Sequence, residues 1–256
     1  MRYFSTTETT AALIGHIESK IPNIYLRFGD GDFNLMDGRR DMLAAPSREI
    51  QSAYVETWKR LNNKHMIAVN YHCKELDTLE DGMFPGVHEC PHSYAIQCTE
   101  RVVANIPELS MLYSAVALHH VLTKNISLYK SFIESIRKNG STIILCNQNF
   151  SSETLTQFFG KNIKIGAPSH NSFSERYRIW CEFDAALSAC DKFTVCILAL
   201  GCGGRAMTYK LIDMIQHHSS NIILIDIGSS IDVLMGLNNT RAWVEITKPD
   251  IHSLLS

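Results

Sequence analysis

Phe193-Thr194-Val195-Cys196-Ile197-Leu198-Ala199-Leu200-Gly201-Cys202-Gly203-Gly204-Arg205-Ala206 is an apolar run that passes straight into a glycine turn and then a helical stretch. A short run of unbroken hydrophobicity, rich in β-branched residues, is the pattern of a strand covered on both faces. Thr142-Ile143-Ile144-Leu145-Cys146 and Ile222 to Ile227 share that pattern. Shorter strands are predicted at Ile24-Tyr25-Leu26, His65 to Tyr71 and Asn162 to Gly166. Helices are predicted over 6–20, 47–62, 116–138, 151–159, 173–189 and 207–218. In the second of these, Ile50, Tyr54, Trp58 and Leu61 recur at helical spacing, with Ser47 as N-cap. The stretch from Cys73 to Ser93 holds Gly82, Pro85, Gly86 and Pro91 and reads as an irregular loop. Strands alternating with helices predict an α/β fold: a single Rossmann-like domain over 1–256, with a mostly parallel twisted sheet flanked by helices. Ligands of such a sheet sit at the carboxyl ends of the strands.

Composition narrows the function classes. The chain has 256 residues, 24 Lys and Arg against 26 Asp and Glu, and a formal charge of −2. That balance gives no broad attraction to nucleic acid, so no nucleic-acid partner is expected. The eight cysteines make no C-x-x-C pair and no disulfide framework, and are read as reduced, mostly buried thiols. No apolar run approaches the ~18–20 residues of a transmembrane segment, and Met1 to Thr7 lacks a signal-peptide core. A cytoplasmic protein is the expectation.

Three stretches carry chemistry. Arg27-Phe28-Gly29-Asp30-Gly31-Asp32 follows the first strand. In an extended or tightly turned segment, Asp30 and Asp32 can reach one divalent cation, and Gly29 and Gly31 let the backbone turn. Arg27 adds a bidentate donor for a diphosphate or a carboxylate. The plainer reading is a Gly-Asp turn with solvated acids. The second stretch is the turn Gly201-Cys202-Gly203-Gly204-Arg205. Backbone N–H groups at a helix start there would cradle a phosphate, unless the glycines serve packing alone. Gly201, Gly203 and Ala206 also fit G-x-G-x-x-A, with Asp226 about 20 residues on, which is the dinucleotide fingerprint. Only about 30 residues follow Asp226, too few for the rest of a mononucleotide half. The third stretch, Gly166 to Tyr177, offers Asn171 and Ser172 to a base, ribose or sugar, or merely as loop and cap residues.

Taken together and in order, these stretches resemble the GT-D-type glycosyltransferase domain. The resemblance rests on Arg27 to Phe33, on Pro168-Ser169-His170-Asn171-Ser172-Phe173 with Tyr177, on Leu198 to Gly201, on Tyr209-Lys210-Leu211 and on Ile225-Asp226-Ile227-Gly228. It implies transfer of a sugar, as a hexosyl- or deoxyhexosyltransferase, from a nucleoside diphosphate donor, with UDP favoured, to a glycan or glycoconjugate hydroxyl. It also implies Mn²⁺ or Mg²⁺ at Asp30 and Asp32, the latter standing where the family usually has Glu. Gly201 to Gly204 and Arg205 would then lie near the donor. After Gly228 the family often has His and acidic residues; here Ser229, Ser230, Ile231 and Asp232 follow, so Asp232 is the nearest candidate base. Thr240-Arg241-Ala242-Trp243 resembles the later Arg-x-Trp of related forms, which brings in Arg241. Two other classes stay open: an NAD- or S-adenosylmethionine-binding Rossmann enzyme, and a non-catalytic nucleotide-sugar-binding subunit.

The remaining candidates are weaker. His88 to His92 has no common zinc spacing. His72-Cys73 would point to opposite faces of a strand. His119-His120 and His217-His218 are expected on helix surfaces. Trp58 and Trp180 are expected in the core, and Trp243 is a candidate for the acceptor side.

Overall fold

A computed structural model of the chain describes residues 1–69, 92–218, 221–237 and 249–255. The strands are β1 (Arg2–Tyr3), β2 (Asn23–Phe28), β3 (Met66–Val69), β4 (Met111–Ser114), β5 (Thr142–Asn147), β6 (Asn162–Ala167), β7 (Thr194–Leu198) and β8 (Ile222–Asp226). They form one sheet in the order β1-β4-β3-β2-β8-β7-β5-β6. Every recorded pairing is parallel. The helices are α1 (Thr6–Glu18), α2 (Asp30–Met36), α3 (Arg48–Arg60), α4 (His92–Asn105), α5 (Ala117–Lys124), α6 (Ile126–Asn139), α7 (Ser152–Phe159), α8 (Arg176–Ser188), α9 (Gly201–His217) and α10 (Ser230–Leu234).

Two apolar layers follow from strand alternation. Ile24, Leu26 and Phe28 of β2, with Cys196 and Leu198 of β7, pack beneath α2, α3, α4, α8 and α9. Tyr25 of β2, with Val195 and Ile197 of β7, packs on the other face beneath α1, α5, α6, α7 and α10. Successive side chains point to opposite faces, so a strand covered on both sides must be apolar throughout. Trp58 of α3 stacks on Phe28 at a centroid distance of 4.1 Å, and Trp180 is buried, so both are core residues as expected. Polar residues set the helix starts. Ser5, Ser47 and Ser151 each accept a backbone N–H from the first turn of α1, α3 and α7.

Several boundaries differ from the sequence expectation. The helix predicted from Met207 begins at Gly201, and the helix predicted from Phe173 opens as a 3-10 turn over Ser172–Glu175 before α8. The acidic segment is not extended: Asp30 is the first residue of α2. Strands β1 and β4 and helix α4 were not anticipated. They are short or lie in the stretch where periodicity is weakest. Most of the predicted loop 73–93 lies outside the described residues, as do His72, Cys73, His88, Arg241 and Trp243. No helix among the described residues is long and apolar enough to cross a membrane.

Candidate active site at the carboxyl ends of the strands

A cavity of about 530 Å³ opens at the carboxyl ends of the strands. Arg27 from β2, Asn147 from β5, Gly201 and Cys202 from the start of α9, and Ser229 after β8 all line it. Among the described residues its lining carries three carboxylates, Asp30, Asp41 and Asp232, and two guanidinium groups, Arg27 and Arg205.

Beneath this lining runs a chain of buried charges built around the tip of β8. Asp226 is buried; its Oδ1 accepts from Arg27 Nη2 at 3.3 Å, and its Oδ2 accepts from Arg205 Nη1 at 3.0 Å. Strand alternation puts Arg27 on one face of the sheet, and Arg205 arrives from α9 on the other. One carboxylate at a strand end therefore ties the two faces together. Gly228 closes the turn: its N–H donates to Asp226 Oδ1 at 3.0 Å. With φ +57°, any Cβ there would fall inside the Arg27 guanidinium, so both backbone and space require glycine.

Asp32 belongs to this chain. It is 0% exposed. Its Oδ1 accepts from Arg205 Nε at 2.6 Å and from Tyr54 Oη at 2.6 Å, and its Oδ2 accepts from the Gly29 N–H at 2.8 Å. The last bond is the N3 half of a capping box for α2. The Cys202 carbonyl lies 2.9 Å from the same Tyr54 hydroxyl and shares its one proton with Asp32, so the same knot fixes the start of α9. Burial foremost, with the Asp32 charge beside it, pushes the Tyr54 phenol well above its usual range, which keeps it a donor. Two residues apart on a helix, Asp30 and Asp32 do not share a face. Asp30 is exposed at the cavity, while Asp32 points inward to Arg205. The expected pairing of the two on one cation does not fit this geometry. Helix formation from Asp30 onward is the reason.

The other anticipated residues divide in the same way. Gly29, Gly31, Gly201, Arg205 and Asp232 line the cavity with Asp30 and Arg27. A Cβ on Gly31 would lie 2.5 Å from Asp41 Oδ1 and 2.6 Å from Cys202 Sγ, so this glycine admits a carboxylate and the α9 terminus. Gly203 and Gly204 serve packing. Their Cβ positions are taken by Ser172 Oγ and by Leu200 Cβ, each at 2.5 Å. Ser172 is buried and donates to the Leu200 carbonyl at 3.0 Å. Asn171 accepts from the Ala45 N–H at 3.0 Å, and its own N–H donates to the Leu43 carbonyl at 2.8 Å. It pins the loop that carries Asp41. The site role expected of Asn171, Ser172, Gly203 and Gly204 thus becomes scaffolding. Asp226 cannot meet a ribose as the dinucleotide fingerprint requires, because Arg27, Arg205 and the Gly228 N–H occupy its oxygens.

His119, Asp41 and Ser229 are among the lining residues that escaped the sequence reading. His119 was expected on a helix surface, yet it is 6% exposed and faces the cavity from α5. The strand β4 ahead of it went unrecognised, so the direction of α5 was not legible. Asp41 sits in a loop without periodicity; its Oδ2 accepts the Leu43 N–H at 3.1 Å. Ser229 was seen only as a departure from a pattern. Cys202 lines the cavity as well, and burial first of all pushes its thiol well above the usual range.

Solved structures with this architecture exist. No protein-family model matches the sequence, and no curated protein does. The structure is similar to the DUF1792 glycosyltransferase from Streptococcus sanguinis, with a TM-score of 0.58 and 15% identity, covering 89% of this chain and 81% of that one. It is likewise similar to a domain of unknown function 1792 that has a distinct glycosyltransferase fold, with a TM-score of 0.57 and 13% identity over 89% and 78% of the two chains. The chain has the glycosyltransferase fold of the DUF1792 domains. The GT-D-type resemblance read from the sequence agrees with that fold over most of the chain.

Whether a divalent cation fits can be judged from the lining. Both guanidinium groups are already paired with buried carboxylates, and Asp30, Asp41 and Asp232 add negative charge. Exposed Asp30 suits a hard cation with oxygen ligands, and Asp41 lies against the adjacent Gly31. Asp32, neutralised and out of reach, does not. No group of three or more His, Cys, Asp or Glu side chains is gathered for a metal among the described residues.

Proposed function

We propose that this protein is a glycosyltransferase of the hexosyl or deoxyhexosyl class, working in the cytoplasm. It moves a sugar from a nucleoside diphosphate donor, UDP-linked by preference, to a glycan or glycoconjugate hydroxyl. The observation that carries the reading is the cavity itself. The amino terminus of a 17-residue helix opens into it, and two anchored guanidinium groups and several carboxylates line the same space. Free N–H groups at Gly201 and Cys202 and the helix dipole favour a diphosphate there.

Mn²⁺ or Mg²⁺ would be held by Asp30, with Asp41 as the second carboxylate, and would supply charge neutralisation for the departing diphosphate. Arg27 is held by Asp226 and the Ala115 carbonyl, and Arg205 by Asp32 and Asp226. Neither needs to reorganise as charge develops, which is the condition for effective electrostatic stabilisation. Asp232, which lines the same cavity, would take the proton of an acceptor hydroxyl.

A panel of UDP- and GDP-sugars with Mn²⁺, read by donor hydrolysis, tests the reading. Turnover of one donor, lost in Asp30→Asn, is expected. Binding of NAD or S-adenosylmethionine in place of any sugar nucleotide overturns it. Donor binding without turnover, unaffected by Asp232→Asn, would move the chain to the non-catalytic class.

A further inference from the structure

We infer that His119 is a positioning residue that turns the Ser229 hydroxyl into a directed hydrogen-bond donor for an anionic oxygen in the cavity. The inference rests on the proposed diphosphate donor and adds the atom that meets it. Arg27 is the starting point. A guanidinium has five N–H donors and no acceptor, and it stays charged in proteins. Its Nη1 donates to the Ala115 carbonyl at 2.8 Å and lies 3.2 Å from His119 Nδ1. Asp226 holds the other end of the group, so Arg27 cannot swing away. Nδ1 must therefore accept.

The polarity of the remaining bonds follows. A His119 ring that accepts at Nδ1 is neutral and carries its proton on Nε2. Nε2 lies 3.0 Å from Ser229 Oγ, so Nε2 donates and Oγ accepts. The hydroxyl proton of Ser229 is then available to a ligand. Ser229 lines the cavity, next to Gly228, whose missing Cβ makes room for Arg27. The line Arg27, His119, Ser229 thus passes donor character from a fixed cation to the cavity surface. Three rigid groups fix the direction before any ligand arrives. Such a donor favours an atom that only accepts, a phosphate oxygen of the diphosphate, over a group that must also donate.

Two measurements test this. The first is the tautomer of His119 in the wild-type chain, read at neutral pH from long-range ¹H–¹⁵N correlations of the ring and assigned by its loss in His119→Gln. The neutral form protonated at Nε2 is expected; an imidazolium, or a proton on Nδ1, overturns the inference. The second is affinity for UDP in the presence of Mn²⁺. Ser229→Ala should weaken it by about tenfold, as expected for one hydrogen bond to a charged group. His119→Phe should weaken it severalfold. His119→Gln, which keeps an N–H for Ser229, should recover most of it, which a purely structural role would not produce. UDP bound equally by wild type and Ser229→Ala overturns the relay and leaves the donor reading standing. A wild-type chain that binds no UDP overturns both.

Discussion

Replacing Asp32 with alanine should damage the fold far more than replacing Asp30, although the two carboxylates sit two residues apart in one motif. Asp32 is fully buried and accepts hydrogen bonds from Arg205, Tyr54 and the Gly29 N–H. Its removal leaves Arg205 with half of its charge compensation, the other half coming from Asp226. Breaking one side of a buried ion pair costs about 3–5 kcal/mol. At roughly 2–4 °C per kcal/mol for a domain near this size, the thermal midpoint falls by on the order of 10 °C. Asp30 is exposed at the first position of α2, so its loss removes only an interaction with the helix terminus, about 0.3–1 kcal/mol. Both variants should lose donor hydrolysis, so activity alone does not separate them. Thermal unfolding followed by circular dichroism, with denaturant midpoints beside it, does. If the two variants unfold within about 2 °C of one another, Asp32 is not the buried anchor described and the assignment of the pair must be reversed.

Gly228→Ala should destabilise well beyond the roughly 1–2 kcal/mol of a left-handed alanine, because the added Cβ collides with Arg27. Gly236→Ala, also at positive φ but in open space, should cost only that backbone term; denaturant midpoints of the two give the difference. Burial, with Lys64 and Lys124 nearby, holds the His65 and His120 imidazoles below their ordinary 6.5. A depressed imidazole value means that the unfolded chain takes up protons first. The contribution is therefore complete above about pH 6.5 and is lost as the pH falls through the folded values. Stability measured between pH 7 and pH 5 should decline, with a shallower slope in His65→Gln. Among the described cysteines, exposed Cys181 should react with a maleimide, whereas Cys146, whose thiol burial pushes to about 12, and buried Cys196 should be modified only after unfolding; peptide mapping reads the sites.

The architecture was legible because its central strands are apolar on both faces, which leaves little choice but a covered parallel sheet. The runs 142–146, 193–200 and 222–227 became β5, β7 and β8 within a residue or two at most positions. The two-residue strand β1 and the four-residue β4 carry too few residues for periodicity to register. In the site, strand-end residues such as Arg27 and Asp226 were readable from position alone. Partnership was not. Nothing in the spacing of Asp32 and Arg205 says that they meet across 173 positions, and only the meeting shows that Asp32 looks inward. The glycines illustrate the same limit, since one turn holds Gly201 on the cavity and Gly203 and Gly204 against Ser172 and Leu200.

The place of β8 has a bearing on how the chain is made. Among the described residues it is the last strand in sequence, yet it sits at the centre, between β2 and β7. Until it emerges from the ribosome, a nascent chain holds two half-sheets, β1-β4-β3-β2 and β7-β5-β6, each with an unpaired apolar edge. Assembly therefore waits for a late insertion between distant segments, a slow kind of step. A chain interrupted before residue 222 would keep most of its described helices but lose Asp226, the carboxylate that ties Arg27 to Arg205, and its open edges would invite aggregation or capture by a chaperone.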